Sequence, residues 1–206
     1  MENGWLLTDY LGNSILKRYT LTDVEILSLK EQGINSDLGH EAKSWVECMI
    51  PEKDNEYGPD FWRWIVNNYN QNLASPDPIF DTFFLRDKRT QVIVATGSIV
   101  SDDRDVGRTY GIDGIWMGGV NVKGEYRGHN IGNVIVELLH LHIQTKADHY
   151  NQTIAVNLFT DNPIAKSLYE KHGYVRGHAH SVEHFGREEE FFRIIFRPQT
   201  YTYCIS

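Results

Sequence analysis

The chain alternates apolar and polar positions in short runs, broken by two stretches of helical spacing. Ser14 to Tyr19 alternates and predicts a first strand, and Thr22-Asp23 ahead of Val24-Glu25-Ile26-Leu27 resembles a helix start with acidic residues near its positive end. Two alternating runs, Phe80 to Arg86 and Gln91 to Val100, flank Asp87-Lys88-Arg89-Thr90 and predict a hairpin. A charged loop, Ser101 to Arg108, leads to a third strand over Ile112 to Val122. Gly118-Gly119 inside that strand marks a bulge or a close backbone approach, and is taken as the place where the sheet opens. From Ile131, positions Val134, Ile135, Leu138, Leu139, His142 and Ile143 follow helical spacing and predict a long helix with one buried face. Thr153 to Phe159 reads as a buried strand, and Ala165, Leu168, Tyr169 and His172 give the next helix its inward stripe. Tyr174 to Val182 and Glu190 to Phe196 predict a closing pair of strands around Phe185-Gly186-Arg187.

The stretch from about Gly33 to Asp77 fits no short connection. It carries Trp45, Trp62, Trp64, Tyr57, Phe61 and Tyr69 among Glu41, Glu47, Glu52, Glu56 and Asp60, and reads as two helices, near His40 to Met49 and Pro59 to Gln71. Aromatic rings beside carboxylates suit an ammonium group, although a satellite hydrophobic cluster packing a helical excursion on the sheet is the commoner meaning of such a stretch.

Composition narrows the partners. At 206 residues with 41% hydrophobic content, residues 1–206 read as a single domain able to bury a sizeable core without staples. A formal charge of −8 argues against non-specific nucleic-acid binding, which needs clustered Lys and Arg. Cys48 and Cys204 suggest a reduced compartment, and the N-terminus shows no secretory pattern, so a soluble cytoplasmic protein without a membrane partner is expected. His178, His180 and His184 with Glu183 match no compact metal site, so no metal is expected. Oligomeric state stays open, a homodimer included.

Two strand-to-helix passages carry the candidate chemistry. Arg127-Gly-His-Asn-Ile-Gly132 follows a strand and opens a helix, so backbone N–H groups gather at a positive helix end suited to phosphate. The second passage has Asn162 as N-cap, Pro163 at the first helical position and Gly173 just past the end. Asn162 and Tyr169 lie seven residues apart, about two turns, and can face one ligand from the same side. A phenol there can donate a proton to a leaving thiolate, although a core aromatic is the commoner role.

From about Ile112 to Tyr174 the chain resembles the acetyl-CoA-binding core of the GNAT superfamily of N-acetyltransferases. The family's Arg/Gln-x-x-Gly-x-Gly/Ala falls on Arg127, Asn130 and Gly132, with asparagine where glycine is usual. Its Asn-x-x-Ala-x-x-Leu-Tyr-x-x-x-Gly-Phe/Tyr falls on Asn162, Ala165, Leu168, Tyr169, Gly173 and Tyr174. The resemblance implies an α/β fold of the α+β type: a mixed, twisted, V-split sheet of six or seven strands flanked by helices, with a helical excursion before the second strand. It also implies that pantetheine pairs with the backbone of Val120 and Val122, and that the diphosphate sits on N–H groups of Arg127, Gly128, His129, Asn130, Ile131, Gly132 and Asn133. Asn162 would hold the pantetheine arm and Tyr169 would stand near the sulfur. The base is not evident; Asp113, Glu183 and a water chain are all open. The expected activity is acetyl transfer from acetyl-CoA to a primary amine of a small molecule, peptide or protein. The alternative is a sensor or scaffold that binds acyl-CoA without turnover.

Overall fold

The structure is a computed structural model and describes residues 23–33, 70–102, 106–184 and 187–199, with isolated positions 37, 40, 41 and 44. Seven strands form one mixed sheet in the order β1-β2-β3-β4-β5-β7-β6. They are β1 (Val24–Ser28), β2 (Asp81–Asp87), β3 (Ile93–Val100), β4 (Ile115–Val122), β5 (Ile154–Thr160), β6 (Val175–His184) and β7 (Arg187–Phe196). Neighbours run antiparallel except β4 and β5, which are parallel. Helices with defined bounds among the described residues include α1 (Leu29–Gln32), α2 (Val106–Tyr110), α3 (Ile131–Tyr150) and α4 (Pro163–Lys171), and residues 70–74 are helical as well.

Near the start, the expected helix is a strand. Val24 and Leu27 are buried, and Val24–Ser28 pairs residue for residue with Phe83–Asp87. Helical turns begin only at Leu29, because the Ser28 hydroxyl caps them by accepting from the Glu31 N–H at 3.1 Å. The first strand expected over Ser14 to Tyr19 and most of the aromatic excursion lie outside the described residues. The loop expected over Ser101 to Arg108 contains the start of α2. Asp102 accepts from the N–H groups of Gly107 and Arg108 at 2.7 and 3.0 Å, satisfying donors that α2 leaves open.

The hairpin and long helix match the sequence pattern. α3 buries Ile131, Val134, Ile135, Leu139, Ile143 and Ala147 against the sheet. Burial of each large apolar side chain contributes about 1.5–3 kcal/mol, which fixes the helix on this face. It approaches closely because Gly97 of β3 has no side chain: a Cβ there would stand 2.8 Å from Leu139 Cδ1. The other face carries a second apolar cluster, in which Trp116, Phe159, Phe191, Val100 and Val106 pack together.

Register places the opening of the sheet. β3 and β4 pair from Val100↔Trp116 to Ala95↔Val122, and the register shifts between Thr96 and Ser98. Two steps on β3 match three on β4 there, so the bulge lies on β4, where Gly119 has φ +61°. β4 and β5 pair only at Ile115↔Val156 and Trp116↔Asn157 among the described residues. From Met117 onward the two strands have no such pairing, so a cleft opens in the middle of the sheet. Its closed end lies at Trp116 and its mouth beside the turn that leads into α3.

Candidate active site

The wall of the cleft is the free edge of β4. The Lys123 N–H donates to Val94 O on β3 at 2.9 Å. The Val122 carbonyl points the opposite way along the same peptide plane, into the cleft. There it accepts from Arg127 Nε at 3.0 Å. Val120 and Val122 are half-buried on this edge.

A one-turn 3₁₀ helix, Gly124–Tyr126, joins β4 to the turn. Two of the donors expected to face a diphosphate are used internally. The Arg127 N–H donates to Gly124 O at 3.1 Å, and the Asn133 N–H donates to Asn130 O at 3.0 Å. The N–H groups of Gly128, Asn130, Ile131 and Gly132 have no internal acceptor among the described residues. Gly128 has φ +82° and Asn130 has φ +63°, so the turn passes twice through left-handed backbone. Such alternation points successive N–H groups into one concavity, the arrangement that receives an anion. His129 is half-buried in the same turn.

Asparagine at position 130 is explained by its backbone. Apart from glycine it is among the residues that best tolerate φ > 0, so its departure from the family glycine preserves the turn. Gly132 has a different reason. A Cβ there would meet Leu168 Cδ2 at 3.4 Å, an ordinary contact distance, so α4 packs on the first turn of α3 with room for little more than a methyl group.

α4 begins as the sequence indicates, with Pro163 at its first position and Asn162 Oδ1 accepting from the N–H groups of Ile164 (2.9 Å) and Ala165 (3.3 Å). The oxygen of Asn162 is thereby committed to the helix, and its amide hydrogens remain as donors. Tyr169, two turns on, is buried with its ring against Tyr174, centroids 5.7 Å apart. The Tyr174 hydroxyl donates to Met117 Sδ at 3.6 Å, and Met117 is the first β4 residue past the closed end of the cleft. Tyr169 therefore belongs to the group of side chains beneath the opening. Burial, followed by the nearby Tyr169, holds the Tyr174 phenol well above its ordinary range, so it remains neutral.

The carboxylates are less convergent. Asp113 precedes β4 at the closed end of the cleft, and its carbonyl accepts from Asn157 Nδ2 at 3.1 Å and Arg193 Nη2 at 2.5 Å. The side chains of His178, His180, Glu183 and His184 lie outside what is described. Glu189, which sequence reasoning passed over, is 4% exposed on β7. Strand alternation puts it on the face that carries Phe191 and Trp116. Only its place next to the aromatic run Phe191-Phe192 could have signalled it. Among the described residues no three His, Cys, Asp or Glu side chains are grouped to hold a metal ion. No helix among them is long and apolar enough to cross a membrane.

No curated protein matches the sequence. Solved structures do, at low identity. The NatC complex bound to Gag peptide and CoA superposes with a TM-score of 0.56 at 17% identity, covering 86% of this chain and 99% of that one. A protein from Bordetella pertussis assigned to the GNAT family gives 0.57 at 13% identity, covering 79% and 91%. One from Acinetobacter baylyi described as an acetyltransferase gives 0.55 at 13%, covering 85% and 94%. At such identities these neighbours establish the fold. The family model of GNAT acetyltransferases matches residues 41–174, well over half of the sequence, and the chain belongs to that family.

Proposed function

We propose that the protein is an N-acetyltransferase that moves the acetyl group of acetyl-CoA to a primary amine by direct attack on the thioester. The observation that carries this reading is the end of the β4–β5 ladder at Trp116↔Asn157, with the N–H-lined turn of residues 128–132 at the mouth of the resulting cleft. An unpaired strand edge offers alternating donors and acceptors to an amide-bearing arm such as pantetheine. Val120 and Val122 supply that edge. Arg127, whose side chain covers the Val122 carbonyl, turns aside when the arm pairs there. Four N–H groups at the start of α3 hold the diphosphate, and Asn162 donates to the arm from the facing helix.

The chemistry is a single substitution at the carbonyl carbon. The neutral amine attacks, a C–N bond forms and the C–S bond breaks. The nitrogen loses a proton to solvent or to a carboxylate on the acceptor face, and Tyr169 gives a proton to the departing sulfur. Backbone N–H on the bulged edge near Val120 polarises the carbonyl, a contact worth roughly 3 kcal/mol in other enzymes. The NatC complex is bound to both a Gag peptide and CoA, which supports including peptides as well as small amines among acceptors. Cys48 and Cys204, in a chain stabilised by a large apolar core, support a reducing, cytoplasmic setting. A homodimer is compatible with this reading and is not required by it.

A second reading is a binding module that takes acyl-CoA without turnover. It is favoured by the open part of β4, Met117 to Val122, which bears no carboxylate or imidazole. A panel of amines and peptides incubated with acetyl-CoA, following release of free thiol, separates the two. Thiol release that depends on an acceptor supports the enzyme; coenzyme binding without release under any acceptor supports the module.

A further inference from the structure

The turn at residues 128–132 is tied to α3 by its backbone, where Asn130 O accepts from the N–H groups of Asn133 (3.0 Å) and Val134 (3.4 Å), and by side chains as well. Asn130 caps α3 in left-handed backbone without using its side chain on the helix N–H groups. Its side chain is engaged instead by Asn133, in the first turn of α3, whose Nδ2 donates to Asn130 Oδ1. Asn133 is itself held from α4. Its Oδ1 stands 3.0 Å from His172 Nε2 and 3.4 Å from Lys171 Nζ.

The donors assign the orientation of this amide. An ammonium only donates, so the Asn133 atom facing Lys171 is the oxygen, and its two lone pairs accept from both Lys171 and His172. His172 then carries its proton on Nε2. Burial, and next the charge of Lys171, hold His172 below its ordinary range, so the ring is neutral near pH 7. His140 stands edge-on to His172 with centroids 5.6 Å apart, and restricts the ring.

From this we infer that His172 is a positioning residue of the coenzyme site, acting through Asn133 to hold the left-handed turn at Asn130 in its diphosphate-binding shape. The inference rests on the reading of that turn as the coenzyme grip. It goes beyond the family pattern, which leaves position 172 unspecified, and it gives the C-terminal end of α4 a part in binding that the helix's N-cap and tyrosine do not supply.

The test is calorimetric binding of acetyl-CoA to the full chain and to His172→Ala and His172→Gln, with thermal unfolding of each. Glutamine can place a donor near the position of Nε2. His142→Ala serves as control: its imidazole is similarly enclosed, against Phe83 and the Ile79 carbonyl, away from the turn. The expected result is a loss of affinity of about tenfold for His172→Ala, the upper range for one hydrogen bond. His172→Gln should return to within about twofold of the parent, and His142→Ala should lose thermal stability without losing affinity. If His172→Ala does not fold, His172→Phe, which keeps a ring and removes the donor, takes its place and must show the same loss of affinity that His172→Gln avoids. Unchanged affinity in His172→Ala, or equal losses in Ala and Gln, overturns the positioning role alone. No binding by the parent chain overturns the coenzyme reading and this inference with it.

Discussion

Trp116 on β4 and Asn157 on β5 form the last cross-strand pair, among the described residues, before the two strands part. Both are fully buried. Trp116 is clamped from one face by Phe159 and Phe191, with ring centroids 5.9 and 6.0 Å away. Asn157 is clamped by polar contacts, donating to Asp113 O and accepting from Arg193 Nε at 2.7 Å. The closed end of the cleft is thus braced twice, which lets the other end stay open without unzipping the sheet.

Gly114 lies at that closed end and tests the brace. Its φ is +118°, and a Cβ would stand 2.6 Å from the Ala155 carbonyl and 2.9 Å from Asn157 Nδ2. Backbone strain and a clash with main chain add, so Gly114→Ala is expected to lose about 3 kcal/mol in urea unfolding. A loss below about 0.5 kcal/mol, the range of surface substitutions, would mean that the strands are not this close.

Tyr169→Phe keeps the ring that packs on Tyr174 and removes only the hydroxyl. Thermal stability is expected to stay within a few degrees and acetyl-CoA affinity within about twofold. Turnover should fall by about 10²-fold or more, the usual contribution of a general acid. Equal losses in affinity and turnover would assign the hydroxyl to binding.

Gly132→Leu should hinder the coenzyme more than the fold. Its side chain would start 3.4 Å from Leu168 Cδ2, pressing α4 away from the turn. Affinity for acetyl-CoA is expected to drop at least about tenfold, or 1.4 kcal/mol, with cooperative unfolding retained. Loss of the folded state would mean that the glycine serves packing alone.

His140 predicts acid sensitivity. Burial, and then the neighbouring His172, hold its pKa at about 4 in the folded chain, against 6.5 when exposed. Between those values the unfolded chain binds the proton and the folded chain does not. Stability is therefore complete above pH 6.5 and falls as pH drops toward 4. Roughly 2 kcal/mol should be lost by pH 5, from 1.36 kcal/mol per unit. His140→Leu should flatten the denaturation profile over this window, and an unchanged slope would remove His140 as its source.

The turns were legible in the sequence because each rests on a local rule. Asn162-Pro163 announced its cap, Gly118-Gly119 its bulge, and Asn130 its left-handed backbone. The long-range joins were not legible. Val24 to Leu27 reads as a helix start in isolation and becomes a strand because β2 offers it an edge. The contact of His172 with Asn133 spans 39 positions, and no spacing rule connects them. Nor does the sequence tell that Asp113 stands at the closed end of the cleft, since that depends on which β4 residues pair with β5.

Hydrogen exchange of the backbone, with and without acetyl-CoA, tests the central claim most directly. If the coenzyme pairs along the parted edge of β4 and grips the turn, segments 117–122 and 127–133 slow together on its addition, while 93–100, already paired on both sides, does not change. Binding without protection at 117–122 would place the coenzyme elsewhere and contradict the account.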